Sequence, residues 1–263
     1  MNGNSIIIMS DNRQLSTNYE ENNYISLSTF INFKYSQLHG YGFKYLVPND
    51  DGDSSFYNCK SILGDKRHPS WSKLLSLIKI GMENPKYDYV IYVDTDFIFN
   101  SFEIKIENHL NSLSVVNGSS INESNLIFTT DNPWFKTQPN AGFFIFKNNS
   151  QSIDILKDWY RWSNPTNNFY HDKNHAWEQV ALIEHIFKKY INKMSVLDDS
   201  PCVISSENQF LVHMTSGNSI QSRWNFFEKC VNKHEIGDEF TDVVNDLKKL
   251  TVNFNSNEIV SLL

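Results

Sequence analysis

The segment that most constrains this chain of 263 residues is Tyr89 to Val93, Tyr-Val-Ile-Tyr-Val, an unbroken run of β-branched and aromatic residues. A run this short and apolar reads as a strand buried on both faces of a largely parallel sheet. It ends in Asp94-Thr95-Asp96, which puts two carboxylates where the strand leaves the sheet. In open α/β sheets, ligands bind outside the carboxyl ends of strands. Two crowded acids repel each other unless a cation lies between them. Oxygen donors suit Mn2+ or Mg2+, and such an ion can hold a diphosphate in turn. A second Asp-x-Asp, Asp51 and Asp53, has no such strand before it and reads as a polar loop. Its calcium-loop register fails, with Ser54 and Lys60 where Gly and Glu are needed.

Around that strand the chain reads as alternating α/β. Ser5 to Met9 is a strand whose end, Ser10-Asp11, is either a nucleotide contact or a simple turn. An amphipathic helix over 18–38 carries Tyr24, Leu27, Ile31, Tyr35 and Leu38, stops at Gly40 and Gly42, and leads into a strand at Phe43 to Val47. After Pro69, Ser70 is expected to cap a helix with Trp71, Leu74, Leu75, Ile78 and Met82 on one face. Lys73 in its first turn either reaches a phosphate or faces solvent. Ile104 to Leu113 reads as a surface helix and Leu126 to Thr130 as a buried strand. Asn140-Ala141-Gly142 precedes a strand at Phe143 to Phe146. Small residues there let a ligand approach the backbone, and Asn140 offers an amide to sugar hydroxyls, the alternative being a tight turn.

In the second half, Ser152 is expected to cap a helix that Trp162 extends until Pro165 stops it, with a polar loop over Phe169 to Asn174. A helix over 175–190 has Glu178 and Gln179 in its first turn, where a carboxylate also suits the helix dipole. Met194 to Val196 and Val203 to Ile204 are short strand candidates. A strand at Phe210 to Val212 leads to His213, a metal ligand or a core histidine, with Gly217 and Arg223 beyond it. Phe240, Val243, Val244, Leu247 and Leu250 mark a closing helix. No repeat or linker interrupts the chain, so a single domain is expected.

With 23 basic and 30 acidic residues, a net charge of −7 and no basic run, nucleic acid is not an expected partner. Cys59, Cys202 and Cys230 are far apart and lack zinc-site spacing, which fits reduced thiols. The opening residues carry neither a signal peptide nor a membrane span, so a cytoplasmic protein is expected. A homodimer is left open.

Four motifs occur in order: Tyr-Val-Ile-Tyr-Val-Asp-Thr-Asp, Asn-Ala-Gly-Phe-Phe-Ile, Trp-Glu-Gln-Val-Ala-Leu and Leu-Val-His-Met-Thr-Ser-Gly. Together they resemble the retaining glycosyltransferases of the GT-A fold, especially glycosyltransferase family 34, and more weakly the glycogenin-like family 8. The resemblance implies a Rossmann-like α/β domain with a donor-binding half at about 1–100, an acceptor and catalytic half at about 101–225, and a closing segment at about 226–263. It implies a nucleotide-sugar donor, UDP favoured over GDP, and a glycan or other hydroxyl-bearing acceptor. Asp94, Asp96 and His213 would hold manganese or magnesium. Ser10, Asp11, Lys73 and Thr95 would contact the donor, with Gly217 and Arg223 as further phosphate-side groups. Asn140, Ala141 and Gly142 would lie near the donor sugar, and Glu178 and Gln179 at the reaction centre. The family usually has Asp-Gln where this chain has Glu178-Gln179, and Asn-Thr-Gly where it has Asn-Ala-Gly. Two alternatives stand beside it. One is a haloacid-dehalogenase-like phosphatase using Asp94 and Asp96, with Thr129-Thr130 and Asp198-Asp199 in support. The other is a non-catalytic sugar-binding protein on the same fold.

Overall fold

The computed structural model describes residues 3–49, 59–60, 66–131, 137–162, 177–202, 209–215 and 217–263. The Asp51/Asp53 loop, the polar loop at Phe169 to Asn174, the stop at Pro165 and the strand expected at Val203 to Ile204 lie outside these residues.

The strands are β1 (Ser5–Ser10), β2 (Gly42–Asn49), β3 (Cys59–Lys60), β4 (Lys66–Arg67), β5 (Tyr89–Val93), β6 (Phe97–Phe99), β7 (Leu126–Thr130), β8 (Pro139–Lys147), β9 (Met194–Leu197), β10 (Leu211–His213) and β11 (Val252–Asn255). Seven of them form one sheet in the order β11-β2-β1-β5-β8-β7-β9. The pairings are parallel except at β8, which runs antiparallel to both β5 and β7. The fold is therefore a mostly parallel α/β sheet flanked by helices in a single domain. Its central strands, β1, β5, β8 and β7, are buried on both faces. Ile7, Met9, Ile91 and Val93 face one apolar cluster, while Ile6, Ile8, Val90 and Tyr92 face the other, as period-two alternation requires.

The helices are α1 (Tyr24–His39), α2 (Ser72–Glu83), α3 (Ile106–Ser112), α4 (Ser150–Arg161), α5 (Trp177–Ala181), α6 (Ile220–Lys233), α7 (Phe240–Leu250) and α8 (Ser256–Val260). After α5 the chain continues through a π-helical stretch, Leu182–Ile186. Helices α1, α6 and α7 cover one face of the sheet; α2, α4, α5 and α8 cover the other. Among the described residues no helix is long and apolar enough to cross a membrane.

Several sequence expectations need correction. The helix expected from residue 18 begins at Tyr24, after a 3-10 turn Glu21–Asn23, and Gly40 closes it at a φ of 73°, which glycine adopts without strain. This helix is not amphipathic in the expected way, because Ser28 and Asn32 on it are fully buried. Asn32 donates to Phe97 O at 2.9 Å and accepts from Phe99 N at 3.0 Å, and Ser28 donates to Thr95 O at 2.6 Å. The polar side chains of α1 thus satisfy the backbone on either side of Asp96. Capping differs too: His68, not Ser70, caps the turn before α2, and Asn149, not Ser152, caps α4. Asn140-Ala141-Gly142 is no turn; it lies inside β8. The C-terminal strand β11 was not expected at all.

Candidate active site

The carboxyl ends of β1 and β5 open into a cleft of about 630 Å³. Ser10, Asp11, Lys73, Asp94, Thr95, Asp96, Glu178, Gln179 and His213, all predicted site residues, line it. Five separate segments bring them together. His213 arrives through a two-stranded antiparallel pairing in which it sits opposite Phe97. Met214 N donates to Asp96 O at 2.9 Å, and the His213 ring stacks on Phe97 at 3.9 Å.

Electrostatically the cleft holds carboxylates compensated by cations. Asp96 Oδ1 lies 3.3 Å from His213 Nε2, and its Oδ2 lies 3.7 Å from Arg223. Burial alone would raise the Asp96 carboxyl, but His213 and Arg223 outweigh it and hold it below the usual range. Burial alone would lower His213, yet Asp96, with Cys202 at 3.2 Å from Nδ1, pushes it up to about 10. Asp94 differs. Burial pushes its carboxyl up, against the pull of Lys73, with Asp96 and Glu178 adding to the rise. Lys73 Nζ contacts Asp94 Oδ2 at 2.9 Å and Tyr92 donates to Asp94 Oδ1 at 2.5 Å. Two adjacent acids in one cleft thus have opposite environments. Among the described residues no three His, Cys, Asp or Glu side chains are already gathered as a metal cage; Lys73 pairs with Asp94 and Glu178, while His213 and Arg223 lie against Asp96.

Other predicted residues stand behind the wall. Asn140 is 1% exposed; its amide donates to Asp131 at 3.0 Å and its Oδ1 accepts from Gly142 N at 2.7 Å. Ala141 N donates to Gln179 Oε1 at 3.0 Å, which ties β8 to α5. Gly142 O accepts from Asp94 N at 2.8 Å. Arg223 donates to Met214 O and Tyr24 Oη, so it supports the Asp96 loop from outside the cleft. Gly217 lies within the turn closed by Asn218 N on Thr215 O at 2.9 Å and does not line the cleft.

Sequence reasoning missed several lining residues. Arg13 is gripped by both oxygens of Asp11, at 2.7 and 2.8 Å, while its side chain stays half exposed. Asp11 also accepts from Thr95 Oγ1 at 3.1 Å, joining β1 to the Asp94 loop. Tyr92 could have been found, since residues two apart on a strand share a face. His68 and Trp177 stack at 3.4 Å on the cleft wall, a contact across more than a hundred residues with no local signal. Trp177 opens α5 at a φ of 43°, a region bulky residues rarely adopt. Such strain persists where surroundings over-determine it.

No protein-family model and no curated protein sequence matches the chain. Solved structures do. A glycosyltransferase involved in glycosylation of the major capsid of PBCV-1 matches with a TM-score of 0.61 at 16% identity, over 86% of this chain and 99% of that one. The Streptococcus pneumoniae glycosyltransferase GlyE matches at 0.49 and 13% identity, over 95% and 65%. A Drosophila β1,4-galactosyltransferase 7, in complex with manganese, UDP-Gal and xylobiose, matches at 0.46 and 10%, over 81% and 71%. Of these three the first alone exceeds 0.5, and at its identity it speaks to fold. With its mostly parallel sheet and its cleft at the strand ends, the chain has the GT-A fold of glycosyltransferases.

Proposed function

We propose that the protein is a metal-dependent glycosyltransferase that moves a sugar from a nucleoside-diphosphate donor, UDP-linked in preference to GDP-linked, to a glycan or other hydroxyl, with retention. The observation carrying this reading is the convergence of Asp94, Asp96, His213, Glu178 and Gln179 on one cleft. The donor set fits a hard divalent cation: two carboxylates two residues apart and one imidazole, which gives up its proton when it coordinates, with Lys73 and Arg223 lying against the same carboxylates. Asp94, Asp96 and His213 would hold manganese or magnesium, which supplies positive charge to a diphosphate leaving group when bound.

The chain's own groups do the rest. Arg13, oriented by Asp11, presents the N–H groups that Asp11 leaves over to an anionic donor. Gln179 holds β8 against α5, and Glu178 faces the cleft beside it, where a carboxylate supports a sugar ring that becomes cationic as the leaving group departs. The phosphatase alternative lacks its supporting cast. Thr129 and Thr130 are 1% exposed and do not line the cleft, Thr130 donates to Asp199 O at 2.6 Å, and Asp199 pairs with His109 at 2.7 Å.

Calorimetric titration with UDP, GDP and their common sugar conjugates, with and without manganese, tests the reading. Manganese-dependent binding is expected, lost in a folded Asp96→Ala variant. Undiminished nucleotide affinity in Asp96→Ala would sink the site assignment. Binding with no release of free sugar or transfer would leave the non-catalytic sugar-binding protein.

A further inference from the structure

His213 meets its surroundings through both ring nitrogens. Nε2 lies 3.3 Å from Asp96 Oδ1, and Nδ1 lies 3.2 Å from Cys202 Sγ. The plane of the ring is set by Phe97, fully buried and stacked on it at 3.9 Å with 18° between the planes. Stacking does not say which way round the ring lies. Turned over about Cβ–Cγ it stacks equally well, but then presents Cε1–H where Nε2 was, and a carbon holds no cation. The polar contacts at the two nitrogens make that choice.

Cys202 is placed to make it from behind. It does not line the cleft, and its own position is fixed from two sides. His213 N donates to Pro201 O at 2.9 Å, which ties the residue before Cys202 to β10. The side-chain nitrogen of Asn140 lies 3.6 Å from Sγ. Because Asn140 Oδ1 accepts from Gly142 N and its amide donates to Asp131, the N–H side of Asn140 is the side that meets the sulfur. Toward Asn140 the sulfur is therefore an acceptor. A histidine that coordinates through Nε2 keeps its one ring proton on Nδ1, and metal-bound histidines almost always donate that proton to an acceptor. Sγ is the group that Nδ1 meets.

Within the metal-dependent transferase reading, on which this rests, we infer that Cys202 is a positioning residue: its sulfur accepts the Nδ1 proton of His213 and fixes the ring so that Nε2 is the nitrogen offered to the cation. Asn140, buried behind the cleft wall, steadies the sulfur in turn. The influence of Cys202 on the cleft runs through His213 alone.

Two measurements test this. The first needs no metal. In protein carrying isotopically labelled histidine, the Nδ1–H resonance of His213, assigned by its loss in His213→Ala, should be protected from exchange with water in the wild type and unprotected in Cys202→Ala. A role in packing alone would not move it. The second is manganese affinity at a fixed UDP concentration, read from the electron paramagnetic resonance of the free ion. Cys202→Ala should weaken it roughly tenfold, the lower end for loss of such a partner, since a thiol sulfur is a weak acceptor. Cys202→Ser keeps an acceptor at that position and should recover most of the loss. Cys202→Ala added to His213→Ala should weaken binding no further, because the first residue acts through the second.

A wild-type His213 whose Nδ1 carries no proton overturns the inference. So do equal losses in Cys202→Ala and Cys202→Ser, or a further loss in the double variant. Should Cys202→Ala not fold, Cys202→Val, which also lacks an acceptor, carries the same comparison against Cys202→Ser. Wild-type protein that binds no manganese, with or without UDP, overturns the metal-dependent reading and the inference with it. Manganese binding by the wild type that is unchanged in Cys202→Ala overturns the inference alone.

Discussion

Replacing Gly142 by alanine should damage both stability and site. The added methyl would lie 2.4 Å from Phe97 Cε2, 3.0 Å from Asn140 Oδ1 and 3.1 Å from Asp94 Oδ2. Carbon pairs rest at about 3.5–4.0 Å, so something must move by ~1 Å. The backbone is held from both sides, Gly142 O by Asp94 N and Gly142 N by Asn140 Oδ1. Phe97 is fully buried and stacked on His213. Overpacking of this kind costs ~1–3 kcal/mol. With a urea slope near ~3 kcal/mol per molar for a chain this long, the unfolding midpoint should fall by ~0.3–1 M at constant slope. Displacement of Phe97 also moves its partner His213, so manganese-dependent nucleotide affinity should weaken in the same variant. A midpoint within about 0.1 M of wild type would refute the packing reasoning.

Two further outcomes are open to simple measurement. Asp158 accepts from Lys189 at 2.6 Å and from Tyr190; burial would raise its carboxyl, but these partners hold it below the usual range. Its folded value lies below its unfolded one, so its contribution is present above the ordinary carboxylate range and is lost as pH falls through the depressed value. The stability gap between wild type and Asp158→Asn should therefore be widest near about pH 6–7 and close toward about pH 2–3, and a gap independent of pH refutes this. Burial pushes the Cys230 thiol up to about 12, so it should be inert to a disulfide reagent at neutral pH. Cys230→Ser should leave the native thiol count unchanged and lower the unfolded count by one; a lower native count contradicts the burial.

Much of this architecture was legible because short-range chemistry decides it. The β5 run and the β7 run are too apolar for any place but the middle of a sheet, and β7 spans the residues expected. The acids of Asp94 and Asp96 follow from where such a strand must end. What stayed hidden depends on partners distant in sequence. The polar side chains of α1 look solvent-facing until the backbone they bind is known. β11, Val-Asn-Phe-Asn, is a short and half-polar edge strand whose pairing with β2 no local pattern announces. Lys73 had two readings from sequence and a third in space, because its partners lie 21 and 105 positions away.

The place of β11 also bears on how the chain reaches its fold. It pairs in parallel with β2, roughly 200 residues upstream, a long loop to close before the contact repays it. On a ribosome adding roughly 5–20 residues each second, β2 waits about 10–40 s before that partner exists. Through that interval Gly42–Asn49, a strand with a buried centre, is an uncovered sheet edge that can recruit another nascent chain. Expression yield should therefore respond to translation speed and chaperone supply more than the stability of the finished sheet implies.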